Sequence, residues 1–249
     1  MDWYIYPAII AAGFAAGFIN TLAGSGSLIT LPLLIFMGLP ATVANGTNRV
    51  AVLLQSVVAS GRFRSGKVLD VRGALVLGIP AVLGSVLGAQ IAVNLNELIM
   101  RRVIGVIMIL MLVVILTRPE KWLEGKLDRM DGKLDWKQIL LLFVIGIYGG
   151  FIQAGVGIFL LGALVLAIGY GLVRANAVKN AIILLFTIFS LVVFIINGQV
   201  NWFVGLILAI GNMLGAYVAA RMAIQRGSVW IRRILIAAVA VSSVNLLFL

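Results

Sequence analysis

Apolar residues fall in blocks of about twenty, the length a helix needs to cross the hydrocarbon of a bilayer. The blocks run 3–22, 41–60, 73–93, 98–116, 138–153, 175–196, 202–220 and 229–249, and each is predicted to be helical. Two shorter blocks, 28–37 and 158–168, follow glycine breaks at Gly24-Ser25-Gly26-Ser27 and Gly155-Val156-Gly157. They are too brief to span alone and are expected to be half-helices that end within the membrane, or strongly tilted helices. The residue-by-residue alternation of a membrane barrel is absent. The pattern therefore predicts an all-α polytopic membrane protein.

Composition supports this. Apolar residues make up 63% and charged residues 11% of the 249, against about 45–50% and 25% in soluble domains. An ordinary soluble domain, a disordered chain and a coiled coil are excluded. The start of the chain lacks a basic stretch and a cleavage site, so no cleavable signal peptide is expected. There is no cysteine and no histidine. Disulfides, thiolate metal sites and triads with a histidine base are excluded, and no metal or cofactor is expected.

The two halves repeat each other. Gly13, Gly17, Phe18, Ile19 and Asn20 match Gly146, Gly150, Phe151, Ile152 and Gln153. Further on, Gly24 and Gly26 match Gly155 and Gly157, Gly38 matches Gly169, and Ala44-Asn45 matches Ala175-Asn176. Gly84 matches Gly215, and Arg101-Arg102 matches Arg232-Arg233. This predicts three regions: a first transmembrane repeat over 1–116, a charged cytoplasmic linker over 117–137 and a second repeat over 138–249.

Charge orients the repeats. The net charge of +11 sits mostly between apolar blocks, which points to topology and lipid headgroups, not nucleic acid. Arg62, Arg64, Lys67 and Arg72 occupy the loop after the third segment, whereas the equivalent loop, 197–201, carries no charge. Equivalent loops of opposite basic content belong on opposite faces. The linker, with six Lys/Arg, belongs inside, as does the loop carrying Arg221, Arg226, Arg232 and Arg233. Only Arg101 and Arg102 fall on an outside loop. The repeats are thus expected to be inverted, each of about five helical segments. Five crossings per half, or three crossings and a re-entrant hairpin, both satisfy the charge.

All eight acids lie in loops or at chain ends. The apolar blocks hold no carboxylate and no histidine, so relays of acids and histidines have no material here. Two cations do enter the blocks. Arg49 lies about 12 Å into the third segment by helical rise, and Lys179 with Asn180 occupies the equivalent stretch against Asn48 and Arg49. A cation buried without a carboxylate costs about 2.5–3.5 kcal/mol on insertion scales, which an anionic ligand offsets. The alternative for each is snorkelling or capping of a neighbouring helix's carbonyls. The glycine breaks add backbone N–H groups at a positive helix end. Gly24, Ser25, Gly26 and Ser27 supply two hydroxyls besides, and Gly155 and Gly157 bare backbone. Asn20, Asn45, Thr47, Asn48, Gln153 and Asn176 complete the candidate substrate-binding set. Gly13 and Gly17, at helical spacing, read instead as close helix packing. Gln55, Gln90 and Asn212 read as interhelical hydrogen-bonding groups.

The run 17–27, Gly-Phe-Ile-Asn-Thr-Leu-Ala-Gly-Ser-Gly-Ser, then Pro32 and 38–47, Gly-Leu-Pro-Ala-Thr-Val-Ala-Asn-Gly-Thr, resembles the first signature of the sulfite exporter TauE/SafE family. The stretch 146–157 is similar to its second, and the basic loop ending at Asp70 is similar too. The resemblance covers nearly the whole chain. It implies a membrane transporter for sulfite, sulfonates or related sulfur-containing anions, described mostly as exporters. Ser25 and Ser27 depart from it, standing where members often have glycine. The second copy, 169–180, lacks the proline and threonine of the first.

Together these features predict a secondary transporter in the cell membrane, in the inner membrane of a bacterium or archaeon. It moves a small sulfur-containing anion, most simply outward, by alternating access, and is not an enzyme. An anion channel and a non-transporting scaffold subunit are the alternatives. No base for intramembrane catalysis is at hand, and no G-x-x-x-x-G-K-[ST] loop exists for nucleotide. The partners expected are the small anion and the bilayer, without nucleic acid. The sequence leaves the oligomeric state open.

Overall fold

A computed structural model describes residues 5–116 and 135–247, and every regular element in them is a helix. Most of the expected linker, 117–134, lies outside the described residues. In chain order the helices are α1 (Ile5–Ala23), α2 (Ser27–Phe36), α3 (Ala41–Ser65), α4 (Val71–Val93), α5 (Glu97–Leu116), α6 (Trp136–Phe151), α7 (Val156–Gly162), α8 (Leu172–Ile196) and α9 (Trp202–Leu247). A π turn, Ala163–Ile168, extends α7. The last two expected helices are limbs of the single element α9, bent at Gly227, where φ is 69°. Only a residue without a Cβ turns there at little cost.

Four described helices, spanning 6–23, 71–93, 172–196 and 202–227, are long and apolar enough to cross a membrane by length and composition. The chain is a polytopic helical membrane protein. α3 has the same length as α8 but is more polar, because Asn45, Thr47, Asn48, Arg49, Gln55, Ser56 and Ser60 all point into the bundle.

Hydrogen bonds between elements fix which helix ends share a face. At one end, Tyr170 just before α8 donates its hydroxyl to Asp70 at the start of α4, 2.8 Å. The α3–α4 turn joins them there, with Gly66 against Ile224 of α9. This end carries Arg62, Arg64, Lys67, Arg72, Arg174, Arg221 and Arg226. At the opposite end, Gln199 donates to the last carbonyl of α4, on Val93, at 3.0 Å. The Asn201 amide there donates to Thr47 Oγ1 at 2.9 Å. The basic loop and the loop over 197–201 therefore lie at opposite ends, and α3 runs antiparallel to α8.

The same reasoning decides what the short segments do. α1 starts at the opposite end, where Tyr6 packs edge-on against Phe203. α2 returns to that end, since the α2–α3 junction is held there by Glu97. Its carboxylate accepts from Ala41 N at 2.7 Å and Thr42 N at 3.3 Å. Pro40 leaves α3 without a side-chain cap of its own, and Glu97 supplies it from α5. α1 and α2 thus form a hairpin that enters the bundle and turns back. α6 and α7 form a second hairpin from the basic end. Gln138, at the start of α6, donates 2.6 Å to the Ala167 carbonyl at the end of the π turn. Both short segments, α2 and α7, thus run back toward the end from which their hairpin started.

Small residues let each hairpin pack closely. The Cβ positions of Gly13 and Gly17 are filled by α9 backbone at Leu208 and Asn212, and those of Gly146 and Gly150 by α4 backbone at Ala81 and Ser85. The reading of Gly13 and Gly17 as packing residues holds. In turn, Gly211 and Gly215 face the carbonyls of Ile10 and Phe14, as Gly84 and Gly88 face those of Phe143 and Ile147. By contact, the counterpart of Gly215 is Gly88, one turn beyond the Gly84 that sequence spacing pairs with it. Two glycines four residues apart on each helix leave either register open, and packing selects between them.

A topology test follows from the separated ends. The chain has no native cysteine, so Ser65→Cys and Asn197→Cys each place a single thiol on an exposed residue. An impermeant thiol reagent should reach Asn197→Cys in intact cells and Ser65→Cys only after permeabilisation. Labelling of both from one side would contradict the arrangement.

Candidate functional site

The two hairpin turns meet inside the bundle. The Gly157 amide donates to the Gly24 carbonyl at 3.2 Å, and a Cβ on either glycine would run into the backbone of the other. Gly24 and Gly155 both hold positive φ, 81° and 74°; Gly24 ends α1 and Gly155 opens α7, each in a left-handed conformation that suits glycine. Gly26 is wedged against the Ala16 carbonyl of its own hairpin.

Each turn leaves the last carbonyls of a helix inside the membrane, where no bulk water satisfies them. The cations of the opposite half do so. Arg49 donates from Nη1 to Gly149 O at 3.1 Å and from Nη2 to Gly150 O at 2.6 Å, with a longer contact to Phe151 O. Asn45 Nδ2 also reaches Phe151 O, at 2.8 Å. Ser190 Oγ accepts from Nη1, and the guanidinium lies 4.5 Å from the Phe194 ring centroid. At the other turn, Lys179 Nζ donates to Thr21 O at 2.8 Å and Asn20 O at 3.2 Å. Asn176 donates to Leu22 O and Asn180 to Thr21 O, each at 3.2 Å. Positive charge at a helix C-terminus also meets the negative end of the helix dipole. Hydrogen bonds to a charged group are worth about 1.5–3 kcal/mol each. Both cations are fully buried. Both cations thus lie on helix-end carbonyls.

The remaining candidates separate. Asn48, on α3, reaches α2, donating to Ser27 Oγ at 3.0 Å and accepting from Thr30 Oγ1 at 2.6 Å. Ser25 and Gly26 are buried beside them. Gln153 donates to Thr187 Oγ1 at 2.6 Å. Asn20 donates to Gln55, which also accepts from Asn212, so Gln55 and Asn212 bridge helices as expected. Gln90 instead is exposed on α4. Thr47 lies away from the turns, holding the loop over 197–201. Sequence reading missed Thr30, Ser56, Ser60, Ser85, Thr187 and Ser190, all buried. Their common signal was a hydroxyl inside an apolar block, too weak alone to separate from ordinary helix contacts. Thr21 Oγ1, Asn45 Oδ1, Gln153 Oε1, Asn176 Oδ1 and Asn180 Oδ1 are buried with no protein partner, and all belong to the two turns or the residues capping them. Among the described residues no cluster of acids could hold a metal ion.

At the basic rim, Asp70 caps α4 by accepting from Gly73 N at 2.9 Å, besides its bond from Tyr170. Partial burial pushes its carboxyl up. The Gly73 and Tyr170 hydrogen bonds and the nearby Arg174 charge outweigh that and hold it below the ordinary aspartate value.

Membrane-length helices enclosing two half-helix hairpins that meet at their turns define a polytopic transporter architecture. The chain belongs to the sulfite exporter TauE/SafE family, whose profile matches residues 9–246. It is similar to a "probable membrane transporter protein" of Haemophilus influenzae, 29% identical over 90% of this chain and 87% of that one. It is also similar to Sinorhizobium ORF9, 27% identical over 95% and 90%, and to Escherichia coli YfcA, 28% identical over 94% and 86%. Both carry the same description. No solved structure gives a significant match.

Gly24→Ala should destabilise the protein well beyond Gly38→Ala. Both have positive φ, but a Cβ at Gly38 meets nothing within 4 Å. Gly38→Ala should cost about 1–2 kcal/mol for the left-handed backbone, and Gly24→Ala a further 1–3 kcal/mol or so for the collision. Thermal unfolding in detergent measures the difference, and equal losses would show that the turns do not touch.

Asp70→Ala should lower stability by about 1 kcal/mol at neutral pH, the worth of a helix cap. The folded-state pKa lies below the unfolded value of about 3.9. Asp70 therefore stabilises fully above that value, and its contribution fades as pH falls through the lower one. Melting curves of both proteins should converge in acid; a constant gap would assign the effect to packing.

Proposed function

We propose that this protein is a secondary transporter that exports sulfite, a sulfonate or a related sulfur-containing anion. Its two halves, 1–116 and 138–249, act as inverted repeats joined by 117–137 and alternate access around the meeting point of the hairpin turns. One observation carries the reading. Two broken helices meet at Gly24 and Gly157 in a bundle whose described acids, Asp70, Glu97 and Asp135, all stand at helix boundaries. The Ser25, Gly26 and Ser27 amides, with the Ser25 and Ser27 hydroxyls, can meet an oxyanion there without a charged ligand. Arg49 and Lys179 add positive potential while holding the helix ends. The antiparallel course of α3 and α8 supports the inversion, and the basic loop and Arg221–Arg226 at one end support a cytoplasmic assignment for it. Membership of a family named for sulfite export supports the substrate class and direction.

Liposomes containing only the purified protein and loaded with sulfite test this. Efflux should be protein-dependent and saturable, should persist in Arg101→Ala, which alters an exposed residue, and should be lost in Gly26→Leu, whose side chain collides with the Ala16 carbonyl of α1 and distorts the turn. No efflux of sulfite or of a simple sulfonate would refute the proposal. Non-saturating, conductive flux would replace it with a channel.

A further inference from the structure

We propose that Lys179 is the proton-coupling group of the transport cycle, an inference that rests on the transport reading above. Lys179 and Arg49 do the same structural work at the two turns, but their chemistry differs. A guanidinium stays protonated at any pH a protein meets, whereas an ammonium exchanges its proton. Lys179 is fully buried, and its ammonium donates to two backbone carbonyls, Asn20 O and Thr21 O, with no carboxylate partner.

Among the described residues no other charge duplicates it: Arg72 of α4 and Arg221 and Arg226 of α9 stand at the basic end. α1, α2 and α7 carry no ionisable side chain among the described residues, apart from Tyr6 at the far end of α1. On α8 itself the other charge is Arg174, exposed more than a turn earlier. On α3, Arg49 is committed to the α6 carbonyls, and Arg62 and Arg64 stand at the basic end. Tyr148 on α6 gives its hydroxyl to the Ala154 carbonyl, and Tyr170 gives its own to Asp70. The described acids all lie at helix boundaries.

The carbonyls that hold the ammonium are the end of α1, the limb of a hairpin that alternating access must move. With Asn20 O and Thr21 O in place, the charge is compensated. When the hairpin end withdraws, a buried ammonium without acceptors is the costly form. The Nζ–H bond then breaks, the electron pair stays on nitrogen, and the proton passes to water on the open side. The return step takes one proton back. An anion at the adjoining turn favours the charged lysine, so anion and proton travel together.

The test uses liposomes containing wild-type or Lys179→Arg protein, which keeps the charge but cannot release it. The readout is the steady-state sulfite ratio across the membrane with and without an imposed pH gradient, whatever the rate. Sulfite's own titration is common to both proteins. In wild type the ratio should follow the gradient by up to about tenfold per pH unit beyond Lys179→Arg, the limit for one proton per anion. Identical ratios overturn the proposal and leave transport standing. Absence of wild-type sulfite flux without a gradient overturns the transport reading itself. Should Lys179→Arg carry no flux, nuclear magnetic resonance of protein labelled with nitrogen-15 lysine decides. The Lys179 signal, assigned by its loss in the variant, should move with pH and with added sulfite. A signal that responds to neither overturns the proposal.

Discussion

A helix that stops inside a membrane leaves carbonyls that bulk water cannot reach, and the rest of this structure is arranged around that constraint. α1 and α6 both stop there. Their last carbonyls, on Asn20 to Leu22 and Gly149 to Phe151, take hydrogen bonds from Lys179, Asn176 and Asn180 and from Arg49 and Asn45. Each unsatisfied carbonyl would cost several kcal/mol in hydrocarbon. The capping groups are therefore conditions for having broken helices at all. They also explain how two cations persist deep in the bundle without a carboxylate, since helix ends supply the negative partner.

The capping is reciprocal. Arg49 belongs to the first half and holds the hairpin of the second; Lys179 belongs to the second and holds the hairpin of the first. Each turn is capped from the other half, so the halves are joined at the centre as well as at their rims by Asp70–Tyr170 and Thr47–Asn201. Glycine makes the approach possible. Gly24 and Gly157 touch where any side chain would collide, and glycines on α1, α4, α6 and α9 let each hairpin lie directly on a neighbour's backbone. A contact of bare backbone between two hairpins that enter from opposite ends can shift without repacking large side chains.

Much of this was legible in the sequence. The apolar blocks located all the long helices, and the glycine breaks marked both turns to within a residue or two. The polar residues of α3 and α8 were recognised as a set. What could not be read was partnership. Nothing in the spacing says that Arg49 faces the carbonyls of a helix a hundred residues away, or that Glu97 caps α3 across the bundle. Charge counting left open whether α2 and α7 cross, because a pair of crossings and a hairpin that returns to its own face give the same loop charges. Hydrogen bonds between helix ends show each segment returning to the end its hairpin started from. The one-turn slip that pairs Gly215 with Gly88 was likewise invisible, since glycines four residues apart satisfy either register.

The arrangement defines a family of membrane transporters, and its centre accounts for why an anion suits it: positive helix starts, two cations and no acid. Selenite has the charge and shape of sulfite and scatters anomalously at the selenium edge. In crystals grown with it, the account predicts an anomalous peak beside the 24–27 turn, within hydrogen-bonding reach of the Ser25, Gly26 and Ser27 amides. A peak confined to the basic loop around Arg62–Arg72, with none at the turns, would contradict it.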